Sequence, residues 1–314
     1  MRTRTLFVLA CLFLSGCGAN SLPPAALSQC RVDHVADLPL YLHDNLLRVP
    51  VTIDGHDGVM ELDTGAGRTL ISRTFATSMH LQADPHHWSA EFDMGGMSQR
   101  QPDVLVGQIT FGGRTVTPTH LPVIDMVQRS DGGAPFAGYL GADLLQQFDL
   151  DIDVQMSRLT LWQVSGCRGD FLPWHDGRTS LPVDRSSFGW LIVHPRINGH
   201  TVAAIFDTGA TWDAVRQDTA KRVGVRADRF KRRIHPDGVF SRALDLRVGW
   251  ATEIDIGRLR RTNQPVAVIA KSVPGVQMLI GLPVMHQHRV WISYATKQIF
   301  LSSDPTTRTA LTDH

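Results

Sequence analysis

The tetrapeptide Asp63-Thr64-Gly65-Ala66 ends an apolar, strand-like run, and the same four residues recur as Asp207-Thr208-Gly209-Ala210 after a second apolar run. One Asp-Thr-Gly carries little information, because Asp and Gly are ordinary turn residues. The surrounding sequence, however, repeats at the same shift of 144 residues (207 − 63), which also maps Gly55 to Gly199. Such a repeat indicates an internal duplication with one aspartate loop in each copy.

Each copy has the pattern of a β-hairpin that leads into its aspartate. The runs before and after the turn are apolar and β-branched, and the turn is Asp-Gly or Asn-Gly, which is typical of tight hairpin connections. The predicted strands are residues 46–53 and 59–62 in the first copy and residues 190–197 and 201–206 in the second. Each aspartate is therefore expected on a loop at the end of a strand.

A second pair of matching segments lies downstream, Tyr139-Leu140-Gly141 and Leu279-Ile280-Gly281, each with two bulky residues before a glycine. They follow their aspartates by 78 residues (141 − 63) and 74 residues (281 − 207), so the order of parts is kept. A short helix is predicted after each glycine, and Pro283 lies where the first helical turn tolerates proline. The sequence thus predicts a mostly β fold of two lobes, with a short helix per lobe.

The repeat divides the chain into two lobes and a connector. The connector contains several glycines and charges, as is typical of an exposed link. Residues 32–40 either pair as an edge strand or lie near the cleft. The predicted divisions are residues 1–16 as a lipoprotein signal peptide, 17–39 as a tether, 40–165 as the N-terminal lobe, 166–180 as the connector, 181–303 as the C-terminal lobe and 304–314 as a polar tail.

The paired motifs resemble the retropepsin/pepsin-like superfamily of aspartic peptidases. The resemblance implies a bilobal acid-protease fold, in which each hydrophobic-hydrophobic-Gly segment threads behind an aspartate loop and supports it. It also implies that Asp63 and Asp207 are both catalytic and that the Thr64 and Thr208 hydroxyls cross-link the two loops. The other residues expected to support the active-site loops are Gly65, Ala66, Gly209 and Ala210.

Two carboxylates in contact favour a shared proton, because like charges a few ångströms apart resist ionising together, as is established for aspartic proteases. One aspartate then acts as base on a bound water and the other as acid toward the scissile carbonyl, with no cofactor and no metal. Ala66 and Ala210 occur as in retroviral-type members, where pepsin-like enzymes usually carry Ser or Thr. The missing hydroxyl donors predict higher pKa values for the dyad than in pepsins, and work at milder pH.

A hairpin that covers the substrate is the remaining part of the machinery that the resemblance implies. The candidate flap is Met94, Gly95, Gly96 and Met97, where adjacent glycines suit a hairpin tip and no tyrosine of the pepsin kind is present. A plain surface hairpin is the alternative.

The N-terminus indicates the compartment. A basic start precedes an apolar run at residues 6–14, which is too short to span a bilayer as a permanent helix. Leu14-Ser15-Gly16-Cys17 then resembles the bacterial lipobox, which makes Cys17 the candidate lipidation site; a chance Cys after a signal-like run is the alternative. The whole chain thus resembles a bacterial bilobal retropepsin-like lipoprotein on the periplasmic face of a membrane, and Gly18 favours the outer membrane.

The remaining cysteines agree with export. Cys11 lies in the predicted signal, which leaves Cys30 and Cys167 as the only pair in the mature fold. An oxidising compartment permits a disulfide between them, and two free thiols are the alternative.

Composition excludes some classes of function. The net charge is +1 and 19% of residues are charged, so the chain has no electrostatic footprint for nucleic acid. The adjacent His86-His87 and the pair His286 and His288 have neither a nearby Cys nor the His-Glu-x-x-His pattern, and no metal site is predicted from them.

Two functions remain from different classes. The first is a membrane-tethered aspartic endopeptidase that hydrolyses peptide bonds of a peptide or protein substrate with Asp63 and Asp207. The second is a non-catalytic peptide-binding or scaffold lipoprotein that retains the protease fold. One chain supplies both aspartates, so the site does not require dimerisation.

Overall fold

The fold was obtained as a computed structural model that describes residues 29–90, 92–93, 96–97, 100–125, 133–174, 178–186, 188–234, 244–270 and 275–303. Strands dominate both halves, which confirms the mostly β prediction. The predicted signal peptide, the lipidation site Cys17 and the polar tail lie outside the described residues.

The first half of the chain contains short strands and two short helices. In chain order they are β1 (Arg31–Pro39), β2 (Tyr41–His43), β3 (Leu46–Ile53), β4 (His56–Leu62), β5 (Leu70–Ser72), α1 (Arg73–Ser78), β6 (Ala83–Ser89), β7 (Phe92–Asp93), β8 (Gly96–Met97), β9 (Gln101–Val106), β10 (Ile109–Phe111), β11 (Arg114–Val116), β12 (Thr119–Leu121), β13 (Val123–Ile124), β14 (Phe136–Leu140), α2 (Ala142–Leu145), β15 (Asp149–Asp153) and β16 (Arg158–Ser165).

The second half repeats this succession. Its elements are β17 (Arg178–Pro182), β18 (Asp184–Arg185), β19 (Leu191–Val193), β20 (Arg196–Ile197), β21 (His200–Thr201), β22 (Ala204–Phe206), β23 (Ala214–Arg216), α3 (Gln217–Arg222), β24 (Arg226–Ile234), β25 (Leu244–Ile256), β26 (Leu259–Ile269), β27 (Met278–Ile280), α4 (Leu282–Met285), β28 (Val290–Ser293) and β29 (Gln298–Ser302).

The two lobes are built around the same mixed sheet. In the first lobe the order β4-β14-β5-β13 places β14 parallel to β4 and antiparallel to β5. In the second lobe β22-β27-β23-β26 repeats this order and these directions. The hydrophobic-hydrophobic-Gly strands β14 and β27 therefore lie beside the strands that deliver the aspartates, as the resemblance implies.

A six-stranded sheet joins the lobes, in the order β1-β16-β15-β28-β29-β17. Its middle is a pairing between lobes, where Leu150 of β15 lies opposite Ile292 of β28. Both side chains are fully buried and belong to one apolar core that runs through both lobes. Because burial of apolar surface drives folding, this shared core fixes the lobes against each other.

A three-stranded sheet, β12-β9-β6, extends from the first lobe. Strands β6 and β9 continue toward β7 and β8, which pair antiparallel with Asp93 opposite Gly96. The candidate flap is therefore part of a hairpin, while Met94 and Gly95 lie outside the described residues. Its role as a flap stays a prediction.

The structure corrects some boundaries. The predicted tether ends too late, because β1 begins at Arg31 and pairs with β16 as an edge strand. The connector also ends earlier, since β17 begins at Arg178. The predicted strand at residues 190–197 is two strands, because Pro195 has no backbone N–H for the ladder. Helices α1 and α3 were not predicted. Within the described ranges, no helix combines the length and apolar character needed to cross a membrane.

Candidate active site

The two aspartates lie at equivalent places in the two lobes. Asp63 follows β4 and Asp207 follows β22, and each backbone N–H donates to the strand behind it. Asp63 N is 3.1 Å from Leu140 O, and Asp207 N is 2.9 Å from Ile280 O. The hydrophobic-hydrophobic-Gly segments thus hold the start of each aspartate loop.

The threonines tie the two loops together. Thr64 N donates to Thr208 Oγ1 over 2.9 Å, and Thr208 N donates to Thr64 Oγ1 over 3.1 Å. Each hydroxyl in turn donates to a carbonyl of the opposite lobe, Thr64 to Phe206 O and Thr208 to Leu62 O. Both threonines are fully buried, so these hydrogen bonds fix the loops without competition from water.

The glycines set the distance between the carboxyl groups. A Cβ on Gly65 would overlap the Asp207 carboxyl group, and a Cβ on Gly209 would overlap that of Asp63. Each carboxyl group therefore packs against the glycine of the opposite loop, which only a residue without a side chain allows. In this arrangement each carboxyl group lies near enough to the other to influence its pKa.

The surroundings of the pair favour a retained proton. Burial raises the pKa of Asp63, although Oδ1 accepts the N–H groups of Ala66 and Gly65, which lower it. Burial and then the charge of Asp63 raise the pKa of Asp207 well above its usual range. The two groups titrate as one pair, in which the asymmetry favours the proton on Asp207.

A set of polar residues behind the loops is a feature that the motifs alone did not reveal. In the first lobe, Gly141 N donates to Thr69 Oγ1, and Thr69 donates through N and Oγ1 to Asp143 Oδ1 over 2.8 and 2.7 Å. In the second lobe, Gly281 N donates to Asp213 Oδ1 over 2.9 Å. Thr69 and Asp213 thus have a structural role behind the loops.

Asp213 has a buried partner of its own. Arg261 Nη1 donates to Asp213 Oδ2 over 2.6 Å, and both side chains are almost fully buried. Burial raises the pKa of Asp213, and the Arg261 charge opposes that rise. Forty-eight residues separate the pair in sequence, so no local signal could have predicted it.

A second buried pair lies just before the first loop. Arg48 and Glu61 are directly opposite each other in the β3–β4 pair, and both are buried. Burial, and then the charge of Asp63, raise the pKa of Glu61 well above its usual range, while Arg48 lowers it. This acid before the first aspartate loop was not predicted, because an isolated Glu in a strand carries no motif.

Aromatic side chains lie beside the loops. A Cβ added to Gly67 would lie 2.8 Å from the backbone carbonyl oxygen of Phe188. The segment around Phe188 therefore contacts the first aspartate loop. The Phe188 side chain is 62% exposed and stacks on Trp190 with ring centroids 4.7 Å apart. Trp212, five residues after Asp207, is also partly exposed.

The two cysteines of the described chain, Cys30 and Cys167, are joined. Cys30 and Cys167 form a disulfide between the residue before β1 and the connector. Cys167 packs in a small apolar cluster with Trp174 and Trp291, under the sheet that joins the lobes.

Two of the histidines for which the sequence predicts no metal site, His87 and His288, have different surroundings in the structure. His288 Nδ1 lies 2.7 Å from Ser302 O, which leaves it engaged with the backbone. His87 instead meets His120 and Asp84, and one ligand atom from each of these three lies within 4.8 Å of the others.

Two models of known protein families match the chain, one in each lobe. A family model described as "Aspartyl protease" matches residues 49–144, and one described as "gag-polyprotein putative aspartyl protease" matches residues 193–287. No curated protein matches the chain by sequence. Among solved structures, the aspartic proteinase from Irpex lacteus is similar with a TM-score of 0.54 and 14% identity over 90% of this chain and 100% of that one. At this identity the likeness concerns the fold.

Proposed function

Because the chain belongs to the pepsin/retropepsin-like superfamily of aspartic peptidases, we propose that it is an endopeptidase that hydrolyses peptide bonds with the Asp63–Asp207 dyad. The observation that carries the proposal is the packing of each aspartate carboxyl group against the glycine of the opposite loop, which places both carboxyl groups at the junction of the two loops. We include the retropepsin-like subtype, which Ala66, Ala210 and the match of the second lobe to a gag-type model support.

The dyad acts through a water bound between the carboxyl groups. Asp63, the ionised member, takes a proton from this water as its oxygen attacks the scissile carbonyl carbon. Asp207 donates a hydrogen bond from its retained proton to the carbonyl oxygen as that oxygen becomes negative. Asp63 then gives the proton that it took from water to the leaving amine as the tetrahedral intermediate collapses and the C–N bond breaks, which returns the dyad to its starting state.

The threonine cross-links make this geometry available without rearrangement. Four hydrogen bonds between the loops hold the carboxyl groups in contact before substrate arrives. Preorganised groups cost no reorganisation during the reaction, which is the main source of electrostatic catalysis. We assign the exposed aromatic residues Phe188 and Trp212 to contacts with apolar side chains of the peptide substrate.

The test compares the purified wild type with Asp63→Asn and Asp207→Asn on an unbiased peptide library at pH 4–8. Each variant is expected to lose about 10²–10⁴-fold in cleavage rate, because an amide can neither take nor donate the proton. Asp57→Asn, at an exposed hairpin tip, is the matched control and should cleave as the wild type does. Equal cleavage by all four proteins would exclude the dyad, and binding of peptides without cleavage would favour the scaffold function.

We also propose that Cys17 carries a lipid that anchors the protein to the periplasmic face of a bacterial membrane, with the outer membrane favoured. The lipobox-like residues 14–17 support this assignment. In cells, the wild type should partition into the detergent phase and incorporate labelled fatty acid, and Cys17→Ser should do neither. Incorporation of label into Cys17→Ser would contradict the anchor site.

A further inference from the structure

The three-stranded sheet β12-β9-β6 brings together residues that are far apart in sequence. Asp84 Oδ2 lies 2.6 Å from His87 Nδ1, on the same strand. The His87 ring stacks on His120, with centroids 3.9 Å apart and planes inclined by 12°. One ligand atom each of Asp84, His87 and His120 lies within 4.8 Å of the other two. Strands β6 and β12 contribute these residues from the two sides of β9.

A second carboxylate lies beside this trio. Asp103 of β9 is 1% exposed, and its Oδ2 is 3.8 Å from His120 Nε2. Its Oδ1 is buried and has no hydrogen-bond partner among the described residues. Asp84 lies on the adjacent strand β6 and is 4% exposed. It follows Ala83, which pairs with Val104, and Val104 follows Asp103. Two carboxylates are therefore buried at neighbouring places on adjacent strands.

The positively charged groups near these two carboxylates do not fully neutralise them. The guanidinium nearest Asp103 is that of Arg68, whose Nη2 lies 3.7 Å from Asp103 Oδ2 and whose side chain is 46% exposed. Arg68 also donates to Ser89 Oγ, so it is shared. Two buried carboxylates beside one partly exposed guanidinium retain a net negative charge when the imidazoles are neutral. Buried charge of this kind is costly unless it is paired or binds a metal.

We propose that Asp84, His87 and His120 form a binding site for a divalent transition-metal ion, with zinc as the ion that best suits the donors. Two imidazole nitrogens and one carboxylate oxygen are common zinc ligands, and a fourth position is left for water. Ligand atoms of a tetrahedral zinc lie about 3.3 Å apart, given bonds of about 2.0 Å. Small rotations of side chains that are now within 4.8 Å of one another close the site.

Asp103 has a defined part in this site. A histidine that binds a metal usually presents its other nitrogen to a carboxylate, which fixes the orientation of the ring. Asp103 lies opposite His120 Nε2 and is placed for that role. The ion would link β6 to β12 around β9, at the base of the strands that lead to the β7–β8 hairpin. The site is therefore structural and lies apart from the dyad chemistry.

The first experiment measures zinc binding by the purified full-length chain, made without a polyhistidine tag and stripped with a chelator. Calorimetry and elemental analysis are expected to give one tightly bound zinc per chain. Zinc should raise the melting temperature, because an ion that binds only the folded state stabilises it by mass action. Cobalt in place of zinc should give the visible absorption of a tetrahedral site. Only weak, multiple binding without a thermal shift would overturn the proposal.

The second experiment assigns the ligands. His120→Gln and His87→Gln are expected to abolish the tight site, while Asp103→Asn should keep the stoichiometry and weaken affinity about 10–100-fold. The matched controls are His56→Gln and His200→Gln, at equivalent exposed hairpin tips of the two lobes. Binding by His87→Gln and His120→Gln equal to that of the controls would mean that Asp84 and His87 form an ion pair only. If either variant fails to fold, the cobalt spectrum of the wild type and the Asp103→Asn titration decide.

This test does not depend on the peptidase. Asp63→Asn should bind zinc as the wild type does, because the aspartate loop contributes no ligand. Loss of cleavage and loss of zinc binding are thus separate readouts, and each proposal can fail alone.

Discussion

The two lobes perform the same task behind their aspartates with different chemistry. In the first lobe the Gly141 N–H meets the neutral Thr69 hydroxyl, which Asp143 supports. In the second lobe the equivalent Gly281 N–H meets the Asp213 carboxylate, and position 283, which corresponds to 143, is a proline. In both lobes a side chain must accept a hydrogen bond from this glycine N–H. The duplicated backbone does not determine which residue type provides the acceptor.

The replacement of a hydroxyl by a carboxylate required a further change. A buried carboxylate needs a countercharge, and the second lobe supplies Arg261 from β26. Just before the aspartate loop the charged residues lie in the first lobe instead, where Arg48 is opposite Glu61. The equivalent residues of the second lobe are Ile192 and Ile205, which are opposite each other. The second lobe thus has a buried ion pair where the first has a neutral hydroxyl, and the first lobe places a buried Arg opposite a buried Glu where the second has two isoleucines.

The largest effect is expected from removing the second lobe's carboxylate. Asp213→Ala leaves the Arg261 guanidinium buried without its partner, which costs about 3–5 kcal/mol of unfolding free energy. Asp143→Ala removes an acceptor from a half-buried hydrogen-bond network and leaves no buried charge without its partner, so it should cost about 1–2 kcal/mol. Urea unfolding of both variants measures the difference. Equal losses would show that the two supports are energetically alike.

The residues at positions 48 and 61 of the first lobe can be replaced with the isoleucines that occupy the equivalent positions of the second lobe. Glu61→Ile leaves the buried Arg48 guanidinium opposite an apolar side chain and is expected to lose about 3 kcal/mol of unfolding free energy, whereas Arg48→Ile with Glu61→Ile rebuilds the isoleucine pair of the second lobe. The double variant should regain the unfolding free energy of the wild type to within about 1 kcal/mol. Chemical denaturation at pH 7 of both single variants and the double variant tests this. A double variant whose loss equals the sum of the single losses would contradict it.

The dyad should make stability depend on pH. Because the pKa of Asp207 is raised on folding, the folded state holds a proton that the unfolded state releases as the pH passes the ordinary aspartate pKa of 3.8. Stability contributed by that proton is present at low pH and is lost as the pH rises toward the folded pKa. Asp207→Asn removes this loss and should be about 1–2 kcal/mol more stable than the wild type at pH 7, with a smaller gain at pH 4.

Thermal melts from pH 4 to pH 8 measure this gain, with the exposed Asp57→Asn as control. A difference between Asp207→Asn and the wild type that is constant across this range would contradict the raised pKa.

The smallest expected effect concerns the helices that follow the loops. The Ser72 hydroxyl caps α1 by accepting Phe75 N–H, whereas the equivalent N-cap of α3, Arg216, makes no side-chain cap. Ser72→Ala should cost about 1 kcal/mol, and Arg216→Ser should gain up to about 1 kcal/mol, reduced by the loss of the exposed Arg216–Asp218 pair. Melting temperatures of both variants provide the measurement. A loss of stability in Arg216→Ser would mean that Asp218 already fulfils the role of the cap.

The sequence predicted those parts whose signals are local. The hairpin at residues 46–53 and 59–62 was visible because apolar runs flank an Asp-Gly turn, and the structure has β3 at Leu46–Ile53. The family was predicted because the repeat placed Asp-Thr-Gly-Ala and the hydrophobic-hydrophobic-Gly segments in one order. Cysteine number and compartment suggested Cys30 with Cys167, which the structure joins.

The parts that were missed depend on contacts across the fold. Arg261 meets Asp213, and His120 meets His87, only because β26 and β12 lie where the sheets place them. Helix α1 has six residues, too few for a periodic apolar pattern to emerge. The lipid anchor and the flap remain predictions from residues that the structure does not describe or describes only in part.

The Cys30–Cys167 bond determines where a pull on the N-terminus acts. Without it, tension applied before β1 would peel this edge strand from β16 one pair at a time, beginning where Arg31 lies opposite Ser165. With it, tension crosses from Cys30 to Cys167 and enters the chain at the connector, where Cys167 packs against buried tryptophans. A chain held by its N-terminus therefore transmits force past the hydrogen bonds of β1 and into the connector between the two lobes.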